Sequence, residues 1–327
     1  MASAVDLAAA GMHTDGYWGP ITATLDWCEA NYQFSHYIAE MANACSNVYS
    51  IGLAVMGTRN MWQEGLPPTF VLGFVMFGLV GFGSFAFHAS LLHGAQLADE
   101  LPMIYVVAHG LVCLFDTKPG WDMLEDRRTT VLLVGEVVFD VLFTWSYAGV
   151  YRNPVYHQSV FAVLIIGIVI RVVYLLHNAE DYTLEDIKEQ APLSSNDTDT
   201  EPNNTNTPAV LNTKPARKVV VIPPSARRDI RHCFTVGPSS FALGFLVWNL
   251  DNVFCGRLTG WKRALGWPAA FLLEGHSWWH VLTGYGSYLM IVGICYLGVC
   301  VKDDYRRWGV RYWWTLPLIE NVDKRSA

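Results

Sequence analysis

Two histidines four residues apart, His276 and His280, open the apolar run "EGHSWWHVLTGYG" at residues 274–286. On a helix, positions i and i+4 lie one above the other, so both imidazoles can face a single ligand. The spacing permits two readings, a shared metal ion or a pair of polar residues near a helix end, and the surroundings must choose between them. His88 stands in "GFGSFAFHASLLH" (81–93) with Ser84 one turn before it, and Asp99 follows in "QLADELPMIY" (96–105). Three neutral imidazoles leave one coordination position of a tetrahedral ion free for water, the arrangement of a catalytic zinc site. Zinc lowers the pKa of that water toward about 7 and so makes a nucleophile without a protein nucleophile. A carboxylate beside it can take the water's proton and deliver it to a leaving group, a role open to Asp99. Ser84 can orient the water or donate to an oxyanion. The competing roles are a helix cap for Asp99 and a small packing residue for Ser84.

Whether these side chains meet depends on the elements that carry them. Of 327 residues, 52% are hydrophobic and 16% charged, and mean hydropathy is +0.24. Soluble domains carry about 25% charged residues, so this is the composition of a membrane protein. Four segments can each cross a bilayer core, which needs about 20 apolar residues: 69–87, 159–177, 234–250 and 277–301. Three more polar ones, 36–57, 97–115 and 129–148, fill the gaps and give an all-α integral membrane protein of seven transmembrane helices. The N-terminus has neither a basic stretch nor a long apolar one, so no cleaved signal peptide is expected. Residues 191–226 are polar and Pro-rich, and the 178–232 loop between spans five and six is read as largely disordered.

Lys and Arg set the orientation. Of the 22, 17 fall in loops 1–2, 3–4 and 5–6 and the C-terminal segment, 4 on the opposite side, and Arg171 within a span. Positive charge stays cytosolic, which puts the N-terminus in a lumen and the C-terminus in the cytosol. Residues 1–35 then form a lumenal segment, 36–301 the membrane domain and 302–327 a cytosolic tail. The sequons at Asn196 and Asn203 face the cytosol and stay unglycosylated. This topology brings His88, Ser84, Asp99, His276 and His280 to the same, non-cytosolic level. Ionisable groups at such depth are costly and point to function.

Several separated stretches together carry a family resemblance: "GYWGPITATLDWCEANYQFSHYIAEMANACSNVYS", "GFGSFAFHASL", "LADELPMIY", "WNLDNVFC" and "EGHSWWHVLTGYGSY". They resemble the alkaline ceramidases, seven-span zinc amidohydrolases of the endoplasmic reticulum and Golgi. The resemblance implies His88, His276 and His280 as zinc (Zn2+) ligands with Asp99 and Ser84 beside the water. It also implies the substrate, the N-acyl bond of ceramide, cleaved to a sphingoid base and a fatty acid. In "DWCEANYQFSHYIAE", spacing alone reads as a solvated acidic stretch. The resemblance instead implies a calcium (Ca2+) site built from Asp26, Glu29, Asn31 and Glu40 with the backbone carbonyl of Trp27, the hard oxygen donors that calcium takes.

Of the seven cysteines, Cys28 and Cys255 fall on the lumenal side, where they either pair in an oxidising compartment or stand as two free thiols. The rest lie in or beside spans, as small hydrophobes. His93, five residues after His88, is an alternative ligand whose spacing puts it on a different helical face. The expected partners are a ceramide substrate and the lipid bilayer, with no nucleic acid and no protein partner. The alternative function is a receptor of the progestin and adiponectin receptor type with a related zinc site. That group places its N-terminus in the cytosol and resembles this chain mainly in scattered Ser, His, Asp and HxxxH positions.

Overall fold

The computed structural model describes residues 16–121, 126–179 and 221–326. Asn196, Asn203 and most of the 178–232 segment lie outside the described residues. Seven long helices dominate: α1 (Met41–Glu64), α2 (Pro68–Ser90), α3 (His93–Phe115), α4 (Arg127–Thr144), α5 (Pro154–Asn178), α6 (Pro224–Val253) and, after a short α7 (Cys255–Leu265), α8 (Gly275–Lys302). All but α1 and α7 are long and apolar enough to cross a membrane, α4 together with the π-helical turn Trp145–Val150 that extends it. α1 misses that standard because a polar stripe runs along it, with Asn43, Asn47, Ser50 and Asn60 all buried inside the protein.

Helix starts follow side-chain chemistry. Asp126 accepts from the Thr129 amide to begin α4, and Asn153 accepts from Val155 to begin α5, each relieving a backbone donor that the first turn leaves free. α6 begins at Pro224, ten residues before the apolar core of its span, so the end of the segment read as a loop is helix. Here Pro at the first helical position costs nothing, because its missing N–H would be unpaired anyway.

α8 is the central helix. About four-fifths of its apolar window is buried (78%), against 11% for α4, which faces outward along with α5. It packs most extensively on α6, then on α1, and touches α2 and α3. Small residues permit that approach: a Cβ on Gly286 would lie 2.7 Å from the Gly237 carbonyl, so the α6 and α8 backbones are in contact. Arg171, the charge inside α5, sits over the Phe115 ring at 4.5 Å and donates to the Leu114 carbonyl at 3.3 Å.

The C-terminal segment folds as well. Strands β1 (Trp308–Trp313) and β2 (Leu316–Asn321) form an antiparallel hairpin in the register Trp308↔Asn321 to Trp313↔Leu316. Asn60 of α1 clasps it, donating to the Ile319 carbonyl at 2.9 Å and accepting from the Ile319 amide at 3.0 Å. Tyr288 of α8 donates to the Pro317 carbonyl at 2.8 Å. His88, His276 and His280 lie away from this hairpin, in the last turn of α2 and the first two turns of α8.

Candidate active site

Four helix ends converge there: the starts of α1, α3 and α8 and the finish of α2. α2 closes with Leu91 in the left-handed conformation (φ 52°), its amide bonded to Phe87, and the Leu91 carbonyl accepts from the amides of Thr22 and Ala23 at 3.1 and 3.0 Å. Residues 16–40 are thereby laid across the end of α2. The Ala39 and Glu40 amides continue the contact, donating to Ala89 and His88 at 2.9 and 3.0 Å.

His88 occupies the last turn of α2. His276 and His280 sit in the first two turns of α8, whose start is held by Asp251 of α6, accepting from the Gly275 amide at 3.2 Å. "WNLDNVFC" is thus the cap of the helix that bears two histidines. The three imidazoles are buried, with ring centroids 4.6–5.0 Å apart. One nitrogen from each lies within 4.8 Å of the others. No other set of three His, Cys, Asp or Glu side chains among the described residues closes in this way, and His93 is not part of it.

The ring nitrogens of His88 and His280 divide in the way a metal requires. His88 Nδ1 donates to Glu40 Oε2 at 2.5 Å, while His88 Nε2 is buried with no partner. His280 Nδ1 donates to the Asn43 carbonyl at 3.0 Å, and His276 Nδ1 is a second buried nitrogen without a partner. Unpaired polar atoms in a dry interior are costly unless something else binds them. His88 and His280, each held by one nitrogen, can offer the other to a borderline metal ion, and His276 stands beside them held by stacking on Trp27.

Ser84 and Asp99 come together because α2 and α3 touch at Gly83. A Cβ there would lie 2.0 Å from the Ala98 carbonyl oxygen and 2.8 Å from the Asp99 amide, so only glycine allows this crossing. One residue later the Ser84 side chain lies beside the Asp99 carboxyl. Asp99 lies in the second turn of a helix that starts at His93, away from its cap position.

Residues 26–40 pack directly on the histidine cluster. Trp27 stacks on His276 with centroids 3.9 Å apart and planes 13° apart. Cys28 is disulfide-bonded to Cys255, Cα to Cα 5.4 Å, tying this segment to the start of α7. Glu29 caps α1 from outside the helix: its two oxygens accept from the Ala42 and Asn43 amides at 2.7 and 2.9 Å. Burial, opposed by those two amides, pushes the Glu29 carboxyl up to about 8. Asp26 Oδ1 accepts from the Trp27 amide at 3.1 Å and from Asn31 Nδ2 at 3.5 Å. Two further acceptors, Asn31 Oδ1 and Glu40 Oε1, are buried without a donor, a fit to a cation. Lys262 holds the neighbouring Glu274 carboxylate at 2.6 Å.

The family model for ceramidases matches residues 19–320. The chain belongs to the ceramidase family. It is 29% identical to alkaline ceramidase 3 of Mus musculus over 85% of this chain and 84% of that protein. It is 31% identical to alkaline ceramidase YPC1 of Saccharomyces cerevisiae, over 87% of this chain and 79% of the relative. An alkaline ceramidase of Arabidopsis thaliana is 24% identical over 83% of the chain. The family match takes in "DWCEANY", and with the curated relatives it makes this chain a ceramidase enzyme.

The sequence marks 36–57 as one of the more polar spans but assigns no part in the site to Asn43, Ser46 or Asn47. Glu40, Asn43, Ser46 and Asn47 recur at three- and four-residue spacing in an otherwise apolar helix, the one signal that marks them. It also assigned Glu40 to calcium alone, whereas the side chain reaches His88.

Proposed function

We propose that this ceramidase hydrolyses the N-acyl amide bond of ceramide, or of its dihydro or phyto forms, with zinc held by His88, His276 and His280. The observation that carries the reading is the buried three-imidazole cluster with bare nitrogens, set at the same helix ends as the Ser84–Asp99 pair. Zinc bound there supplies a Lewis acid and lets water act as nucleophile near neutral pH. Water adds to the amide carbonyl carbon, the C–N bond breaks, and the amine leaves with a proton. Asp99 takes the proton shed by the attacking water and returns it to the departing nitrogen. Ser84, beside Asp99, orients that carboxylate and offers a hydroxyl to the developing oxyanion. Trp27, stacked on His276, closes one side of the cluster to solvent.

We further propose a calcium ion in the 26–40 segment, with Asp26, Glu29, Asn31, Glu40 and the Trp27 carbonyl as donors. The partnerless Asn31 Oδ1 and Glu40 Oε1 support it. Seven spans with a lumenal N-terminus are supported by the charge asymmetry and by the Cys28–Cys255 bond, since disulfides persist in oxidising compartments. The resemblance implies the endoplasmic reticulum or Golgi as its membrane. The test is purified enzyme against a panel of ceramides, with products separated by mass. Free fatty acid and sphingoid base should form, and stop forming when a chelator is added. Ester cleavage without amide cleavage would remove the substrate assignment.

A further inference from the structure

Three α1 groups surround one atom, His280 Nδ1: the Asn43 carbonyl at 3.0 Å, Ser46 Oγ at 2.8 Å and Asn47 Nδ2 at 3.2 Å. A neutral imidazole has one N–H and one bare nitrogen, and only the bare one binds a metal. A hydroxyl can serve either state. The backbone carbonyl cannot, because it only accepts, so at 3.0 Å it requires the proton on Nδ1 and leaves Nε2 bare. Ser46 reinforces that choice directly, while Asn47 Nδ2, itself a donor, forms no bond to a protonated Nδ1 and acts only through the carbonyl. Ser46 Oγ donates to the Asn43 carbonyl at 2.9 Å, which commits its proton and turns a lone pair toward the Nδ1 hydrogen. Asn47 Nδ2 donates to the same carbonyl at 2.9 Å and fixes its direction.

We propose that the α1 turn 43–47 is a positioning device for the metal site, with Ser46 and Asn47 setting which nitrogen of His280 is presented. The inference rests on the zinc reading above and goes beyond it by assigning a role to residues that touch neither metal nor substrate. Groups that hold a ligating imidazole are worth about 10- to 100-fold in metal affinity. Truncating Ser46 removes one of two acceptors and leaves the carbonyl, so the low end of that range applies.

The full-length enzyme in detergent, titrated with Zn2+ against a competing chelator, tests this. Ser46→Ala should weaken Zn2+ binding about tenfold, and Asn47→Ala should weaken it in the same direction. Ser46→Thr, which keeps the hydroxyl, should restore it. Ser50→Ala is the control, because Ser50 Oγ reaches the backbone carbonyl of His280 at 3.4 Å and not the ring. It removes the same hydroxyl one turn along and should leave Zn2+ affinity within about twofold. The metal-free melting temperature should not separate Ser46→Ala from Ser50→Ala. If Ser46→Ala and Asn47→Ala both bound Zn2+ as the unmodified enzyme does, or if Ser50→Ala lost as much as Ser46→Ala, the device would be ordinary helix packing. An unmodified enzyme that bound no Zn2+ would instead defeat the zinc reading itself.

Discussion

Glu40→Gln is the substitution that probes both proposed metal positions at once. The Glu40 side chain is fully buried, its Oε2 is 2.5 Å from His88 Nδ1, and its Oε1 has no donor. Glutamine keeps the shape and can still accept from His88 through its carbonyl oxygen, so what disappears is the charge. A hydrogen bond to a charged acceptor contributes about 1.5–3 kcal/mol, a neutral one about 0.5–1.5. The difference, about 1–1.5 kcal/mol, corresponds to about a tenfold change in an equilibrium constant. Zn2+ affinity, read by chelator competition, should therefore fall about tenfold, because the imidazole is less firmly held and less basic. The same lost charge should reduce the rise in melting temperature that calcium produces, since calcium then has one anionic donor fewer. An enzyme that kept full Zn2+ affinity would show that the Glu40–His88 bond does not support the metal position. One that lost Zn2+ affinity yet kept its full calcium response would remove Glu40 from the calcium site.

Asp99→Asn should lower kcat by about 10²-fold or more with Zn2+ retained, the range for a lost general acid–base group, and unchanged turnover would leave Asp99 a packing residue. Ser84→Ala should cost less, unless Ser84 is the main oxyanion donor, when the loss approaches 10²-fold. Gly83→Ala places a Cβ 2.0 Å from the Ala98 carbonyl oxygen and must part α2 from α3. Its stability should fall by the roughly 1–3 kcal/mol or more that overpacking costs, lowering the melting temperature, and turnover should fall with it. Glu29 gives a pH signature: its folded pKa is raised from 4.5 to about 8, so stability from this group is present below pH 4.5 and lost as pH rises toward 8 without calcium. Calcium, replacing the proton, should stabilise the enzyme most at the alkaline end of that window, and a calcium effect independent of pH there would take Glu29 out of the site.

The three-histidine cluster was legible because chemistry and topology agree on it. The HxxxH spacing, His88 at the end of one span and the acidic entry to α3 all read directly as residue types at one membrane level. What stayed hidden depends on contacts between elements distant in sequence. Glu29 caps α1 from outside the helix, and no local pattern announces a cap 13 and 14 residues away. Asp251 caps α8 across 24 residues in the same fashion. The α1 clasp was visible only as a polar stripe, with nothing in the chain to say that His280 faces it. The C-terminal hairpin was read as a tail because two six-residue strands after the last span have no periodicity strong enough to separate them from polar loop. Asn60 and Tyr288, which pin it, belong to other helices.

The most direct measurement is zinc content against activity. Full-length enzyme should carry one zinc per chain and release fatty acid from ceramide. Stripped by chelator, it should lose turnover and regain it in proportion to the Zn2+ returned. His88→Ala, His276→Ala and His280→Ala should each neither hold the ion nor recover. Ceramide cleavage that persisted in a zinc-free triple variant would contradict the account at its centre.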